Sequence, residues 1–408
     1  GGKNVERNIE KIKKQVKGIT IITLVVTIIV LLILSGVVIN FSLGNNGIFK
    51  KAKEGVEIYQ NANQNEKIEL DKVANSIGDY INSDKEKEEI KSTLGTVTGD
   101  EKTNTEVNDC YGNKVVVPSG FKIVNPEDNV PDGIIIEDVK AGDEISKGNQ
   151  YVWVPLGKVY KNTDGEYETI NLGRYDINWE KHTLEIKQLA ENYSEIITIG
   201  EIYQELLNSN YGNSVARNLE KYIINSIKNK GYYIGRYEVG DNDANEARNF
   251  DDYTSNPDSV PVVKEEKWPY NYVSQLDASI LSKNMYSINN NFESDLINSY
   301  AWDTAIQFIQ RFSDNKLYSE QHAAQGNIKT TGSIDIASNS YDVKCNIYDM
   351  ANNTSEWSTE TGIKDEFPCT ARGGVFNQEN YVAFGRYYGG TISSHDTNSF
   401  RTILYINE

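Results

Sequence analysis

"NIYDMANNTSEWS" (Asn346–Ser358) decides how the second half of the chain is read. Trp357 within it is a large apolar anchor. Two short segments follow in order, "ARGGVF" (Ala371–Phe376) and "SFRTILYI" (Ser399–Ile406). Asp349, Asn353, Glu356 and Arg372 are polar groups set among core aromatics. One reading has them tie down irregular backbone, because buried loop amides need partners. The other makes Asp349, Asn353 and Glu356 a calcium site, since that ion takes oxygen ligands from loops.

Upstream, "NKVVVPSGFKIV", "GIIIEDV" and "QYVWVPLGKV" are β-rich runs bounded by Gly, Pro and Asp, and they read as strands. "SVARNLEKYIINSIKNKG" (Ser214–Gly231) reads as a helix with Val215, Leu219, Tyr222 and Ile223 on its apolar face and Gly231 ending it. A strand over Tyr232–Val239 and helices near Val273–Tyr286 and Ser299–Phe312 follow. Trp153, Trp302 and Trp357 are large enough to organise a loop-rich core. Residues 161–198 and 241–262 read as loop insertions. Residues 111–408 therefore read as one loop-rich α+β domain.

Before that domain the texture differs. Ser92–Asp109 is a polar, Gly/Thr-rich stretch, so residues 92–110 read as a linker. Residues 42–91 read as a helical stalk: Leu70, Val73, Ile77 and Tyr80 share a face, and "SDKEKEEIK" (Ser83–Lys91) is charged all round. "KGITIITLVVTIIVLLILSGVVI" (Lys17–Ile39) has no charge after Lys17. Its 21 residues from Ile19 to Ile39 would rise about 30 Å as a helix, enough to cross a bilayer. Residues 19–41 are thus expected to be a transmembrane helix. Lys3, Arg7, Lys11, Lys13, Lys14 and Lys17 in the leader (residues 1–18), against Glu6 and Glu10, would keep the cytoplasmic side, leaving the bulk of the chain outside.

Two resemblances bear on this layout. Lys17-Gly18-Ile19-Thr20 and the apolar run after it resemble the class III signal of type IV pilin-like proteins. That resemblance implies a prepilin peptidase cutting between Gly18 and Ile19, a retained helix, and pilin-like subunits as partners. Thr23 stands where those proteins carry Glu. "YIGRYEV", "VSQLDA" (Val273–Ala278), "SYAWDTAIQFI" (Ser299–Ile309), "NIYDMANNTSEWS", "ARGGVF" and "SFRTILYI" together resemble, in order, the formylglycine-generating-enzyme-like (sulfatase-modifying-factor) domain. This implies a variant of the C-type lectin fold over roughly Tyr151–Glu408. The expected class is α+β: a long pilin-like helix and stalk carrying a C-type-lectin-like head.

The resembled enzymes bind copper through two cysteines near the C-terminus. "FGRYYGGTISSHDTNSFRTILYI" (Phe384–Ile406) contains none, and a soft copper(I) ion requires thiolate ligands. Cys110, Cys345 and Cys369 form no CxxC pair, so no zinc site is expected; an exported chain could close one disulfide, with Cys345–Cys369 the pair. His182, His322 and His395 have no metal-ligand spacing. No cofactor is expected apart from the calcium reading. The net charge of −18 argues against nucleic acid as partner.

What remains is binding. "VFNQENYVAFGRYYGGTISSHDTNS" (Val375–Ser399) is rich in Asn, Tyr, Ser and Gly, the composition of adaptable recognition loops. In the resembled fold this stretch forms the binding face of proteins varied by diversity-generating retroelements. Its candidate contacts are Asn377, Asn380, Tyr381, Arg386, Tyr387, Tyr388, Ser394, His395 and Asp396. The expected function is a non-catalytic adhesion head on the bacterial cell surface, binding a protein or glycan. Two alternatives stay open: an oxidase of the formylglycine-generating type, and a structural minor pseudopilin.

Overall fold

The computed structural model describes residues 94–190, 219–244, 246, 248, 259–286, 291–323, 342–361, 368–376, 378–391 and 393–407. The chain separates into two units, Gly1–Glu88 and Glu89–Glu408, and every described residue belongs to the second. The leader, the Ile19–Ile39 run, the Gly18–Ile19 junction and the stalk lie outside the described residues.

Two sheets and three helices position the site. Their strands are β1 (Phe121–Ile123), β2 (Ile135–Asp138), β3 (Gln150–Pro155), β4 (Gly231–Gly235), β5 (Phe292–Leu296), β6 (Ser355–Thr361), β7 (Cys369–Arg372), β8 (Arg386–Gly389), β9 (Asn398–Phe400) and β10 (Thr402–Ile406). The helices are α1 (Leu219–Asn229), α2 (Gln275–Asn284) and α3 (Ser299–Phe312). One sheet is antiparallel throughout, in the order β5-β10-β4-β3-β2-β1. Its central strands, β4 "GYYIG" and β10 "TILYI", are buried along their whole length. Continuous apolar runs of this kind mark strands covered on both faces. The other sheet runs β8-β7-β6-β9, with β6 and β9 parallel.

Local chemistry sets the helix starts. The Ser274 side chain accepts from Asp277 N at 3.1 Å to cap α2. Asn298 Oδ1 accepts from Ala301 N at 2.9 Å to cap α3. Both side chains satisfy amides that the first helical turn leaves unpaired. Helix α3 is buried from Ser299 to Ile309, and Trp153, Trp302 and Trp357 are all sunk in the core. Trp302 Nε1 donates to Ala383 O at 2.9 Å, which ties the helix to the Val375–Ser399 stretch.

Several expectations are corrected. Among the described residues the class is mainly β rather than the expected α+β. Among the described residues the three α-helices stand against twenty-one strands, and none of the helices is long and apolar enough to cross a membrane. The expected loop insertion at 161–198 instead holds strands Tyr167–Ile170, Gly173–Asn178 and Thr183–Leu189, the last two forming a hairpin. Its polar outer face hid the pattern. Residues 94–108 are built into the domain: Leu94 is buried, and Thr105–Asn108 pairs with Lys114–Val117. Gly231 does not end α1. Lys230 takes the left-handed conformation (φ 62°), and Gly231 opens β4, where a Cβ would lie 2.2 Å from Trp153 Cζ2. The glycine is needed for that approach. Cys345 and Cys369 are not joined.

Candidate functional site

Successive side chains of a strand point to opposite faces, and β6 separates two environments in this way. Trp357, Ala371 and Tyr387 are in register across β6, β7 and β8, and all three line a cavity. The adjacent row, Glu356, Arg372 and Arg386, enters ionic networks instead.

In the first network Glu356 is held by Arg401, whose Nε and Nη2 donate to Oε2 at 2.7 Å and Oε1 at 2.5 Å. Arg401 also donates to Gly235 O and Tyr348 O, both at 2.8 Å. Beside this pair lies Glu238, fully buried, which accepts from Asn353 Nδ2, Thr354 Oγ1 and Ser399 Oγ. Burial first, and then the Glu356 charge, pushes the Glu238 carboxyl up to about 8, against the pull of those hydrogen bonds. In the second network Asp303 and Glu360 meet Arg372 and Arg386. Arg372 Nη2 reaches Asp303 Oδ1 at 2.5 Å, and Arg386 Nη2 reaches Asp303 Oδ2 at 2.7 Å. Burial pushes Glu360 up, but the Arg386, Arg372 and Arg174 guanidinium groups outweigh it and hold the carboxyl at about 2.

Above the sheet the cavity measures about 280 Å³. It is built by four segments: Ser355 and Trp357 from β6, Ala371 and Val375 from β7 and the turn after it, Gln378 to Gly389 including Tyr381, Tyr387 and Tyr388, and Ser393 to Asn398 including His395 and Thr397. Tyr381 and Tyr387 stack with centroids 3.7 Å apart and planes 21° from parallel. Tyr387 Oη accepts from Val382 N at 2.8 Å, and burial pushes its hydroxyl up to about 12. Trp357 Nε1 donates to Val273 O at 2.8 Å. Ser355 is 2% exposed, and its Oγ has no hydrogen-bond partner among the described residues.

The Gly373–Gly374 pair lets this floor form. Gly373 has φ +90°, and a Cβ on Gly374 would stand 1.9 Å from Ala351 O. The "RGG" run thus permits the turn after β7 to press against the Asn346–Ser358 loop.

The nine expected contacts divide. Tyr381, Tyr387, Tyr388 and His395 come together in the cavity. Arg386 does not join them; it is half-buried and committed to Asp303 and Glu360. Asn380, Ser394 and Asp396 are not lining residues, although the Asp396 carbonyl accepts from Asn271 Nδ2 at 2.9 Å. Asn377 lies outside the described residues. Ser355, Trp357, Gln378, Ser393, Thr397 and Asn398 were not anticipated. The signal for Ser355 and Trp357 was the alternation Thr354-Ser355-Glu356-Trp357, which sends its odd members to the face opposite Glu356.

The calcium reading of Asp349, Asn353 and Glu356 does not fit the donor set. Both oxygens of Glu356 are taken by Arg401, and Asn353 turns its amide nitrogen, a donor, toward Glu238. Asp349 sits in a turn at φ 61°. A cation beside Glu356 would face the Arg401 charge. Among the described residues, no group of three or more His, Cys, Asp or Glu side chains is placed to hold a metal ion.

The sequence matches no family model and no curated protein. Among solved structures the chain is similar to one described as the crystal structure of CarF, at 14% identity and a TM-score of 0.31, covering 44% of this chain and 87% of that one.

Proposed function

We propose that residues 94–407 act as a non-catalytic recognition domain that binds a surface protein or glycan through the cavity above β6–β9. The observation that carries this reading is the chemistry of the lining. Ser355, Trp357, Gln378, the three tyrosines, Ser393, His395, Thr397 and Asn398 supply aromatic faces and neutral donors and acceptors, and no carboxylate, amine, guanidinium or thiol stands among them. General acid–base chemistry uses titratable groups placed against each other; here His395 is the one imidazole among the described lining residues. Tyr, Ser and Asn are also the residues from which adaptable binding faces are built. The test is twofold. The purified full chain should retain a partner on an array of glycans and surface proteins. Copper-dependent oxygen consumption by the same protein would overturn the reading.

A further inference from the structure

Resting on that reading, we propose that the cavity takes a neutral sugar ring, the terminal hexose of an uncharged glycan, without help from a metal ion. Four observations converge on this ligand class.

The first is neutrality. The chain carries a net charge of −18, yet none of the described lining residues is Asp, Glu, Lys or Arg. The charged members of the neighbouring row are paired away from the cavity, Glu356 with Arg401, and Arg372 and Arg386 with Asp303 and Glu360. A carboxylate, phosphate or ammonium entering the cavity would lose hydration without meeting an opposite charge.

The second is the unpartnered hydroxyl. A buried polar atom without a partner is costly and points to a missing counterpart. Ser355 lies in register with Asn398 on the parallel strand β9, so a hydroxyl and an amide stand side by side in the lining. Both donate and accept, as do Gln378 and Ser393. Sugar hydroxyls are bifunctional in the same way, so each can be matched as donor or acceptor.

The third is the aromatic wall. The stacked Tyr381–Tyr387 pair and Trp357 offer apolar surface with polar rims. A pyranose has the same division, with C–H faces and hydroxyl edges.

The fourth is size. About 280 Å³ lies just below the range typical of drug-sized ligand sites and admits one ring. A protein partner would instead need about 800 Å² of surface on this side. Tyr388, at 55% exposure, is the one strongly exposed large apolar side chain among the described lining residues, which is too little to centre such an interface.

The experiment uses the full chain, with EDTA present, against neutral-terminated and sialic- or uronic-acid-terminated oligosaccharides on an array. Calorimetry with the methyl glycosides of the retained hexoses follows. Ser355→Ala and Tyr388→Ala are compared with the parent. The expected result is retention of neutral-terminated glycans, at least tenfold weaker binding in both variants, and an unlowered melting temperature for Ser355→Ala. A hydroxyl that served only the fold would lower melting and leave affinity alone. Equal retention of acid-terminated glycans, or binding that vanishes in EDTA, overturns the proposal. Retention of a protein and no sugar, with the protein lost in Tyr388→Ala, overturns the sugar assignment and leaves the recognition reading standing. Failure of both variants to change any retained partner removes both.

Discussion

Glu356 and Arg401 are joined by two hydrogen bonds, at 2.7 and 2.5 Å, and both side chains are wholly buried. The pair sits where β6 meets the start of β10, and Arg401 also ties Gly235 O of β4 to Tyr348 O of the Asn346–Ser358 loop. Removing one partner of a buried pair leaves the other charge uncompensated, which costs about 3–5 kcal/mol. Arg401→Met is expected to destabilise by that amount in urea unfolding. Adding Glu356→Met should recover part of the loss. A cost below about 1 kcal/mol for the single variant would contradict the pairing.

Glu360 gives stability against acid. Its folded-state value of about 2 lies below the ordinary carboxylate value of 4.5. Its contribution is present above about 4.5 and is lost as pH falls through about 2. Urea midpoints measured between pH 2 and 5 should fall steeply with acid. Glu360→Gln should flatten that slope and be less stable at pH 6.

Glu238 works in the opposite direction. Its value is raised from 4.5 to about 8, so the folded state holds the proton more tightly than the unfolded chain does. Its contribution is full below about 4.5 and is lost as pH rises through about 8. The groups facing it are Glu356, Arg401, Asn353, Thr354 and Ser399. Glu238→Gln should raise stability above pH 8 relative to the parent. An unchanged pH profile between 6 and 9 would show that Glu238 does not titrate there.

Gly231→Ala tests the packing of β4. The added Cβ would press on the Trp153 indole at 2.2 Å, and both residues are buried. Overpacking of this kind typically costs about 1–3 kcal/mol. A lowered melting temperature is expected, with Trp153 fluorescence perturbed in the folded state. A helix-ending role would predict a cost without the fluorescence change; the left-handed residue after α1 is Lys230, not Gly231.

Local patterns in the sequence carried as far as individual elements. Helices α2 and α3, the apolar run of β3 and the three buried tryptophans were legible because each depends on neighbours within a turn or a strand. Arg386 was not, because its partners Asp303 and Glu360 are 83 and 26 residues away. Read in isolation beside Tyr387 and Tyr388 it looked like a contact; the register with Arg372 turns it under the sheet. The same non-local pairing hid Ser355 and Asn398, which meet only because β6 and β9 run parallel. The calcium reading of Glu356 failed for the same reason, since Arg401 lies 45 residues on. The hairpin at Gly173–Leu189 was lost to its exposed, polar face.

The cavity as a binding site is tested most directly by the affinity of the full chain and its Tyr388→Ala variant for whichever partner the array retains. Tyr388 stands at the edge strand with 55% exposure, so its removal leaves the core intact. The expected result is at least a tenfold loss of affinity with melting unchanged, which corresponds to about 1.4 kcal/mol or more. Equal affinity in the two proteins would contradict the assignment of the cavity as the recognition site.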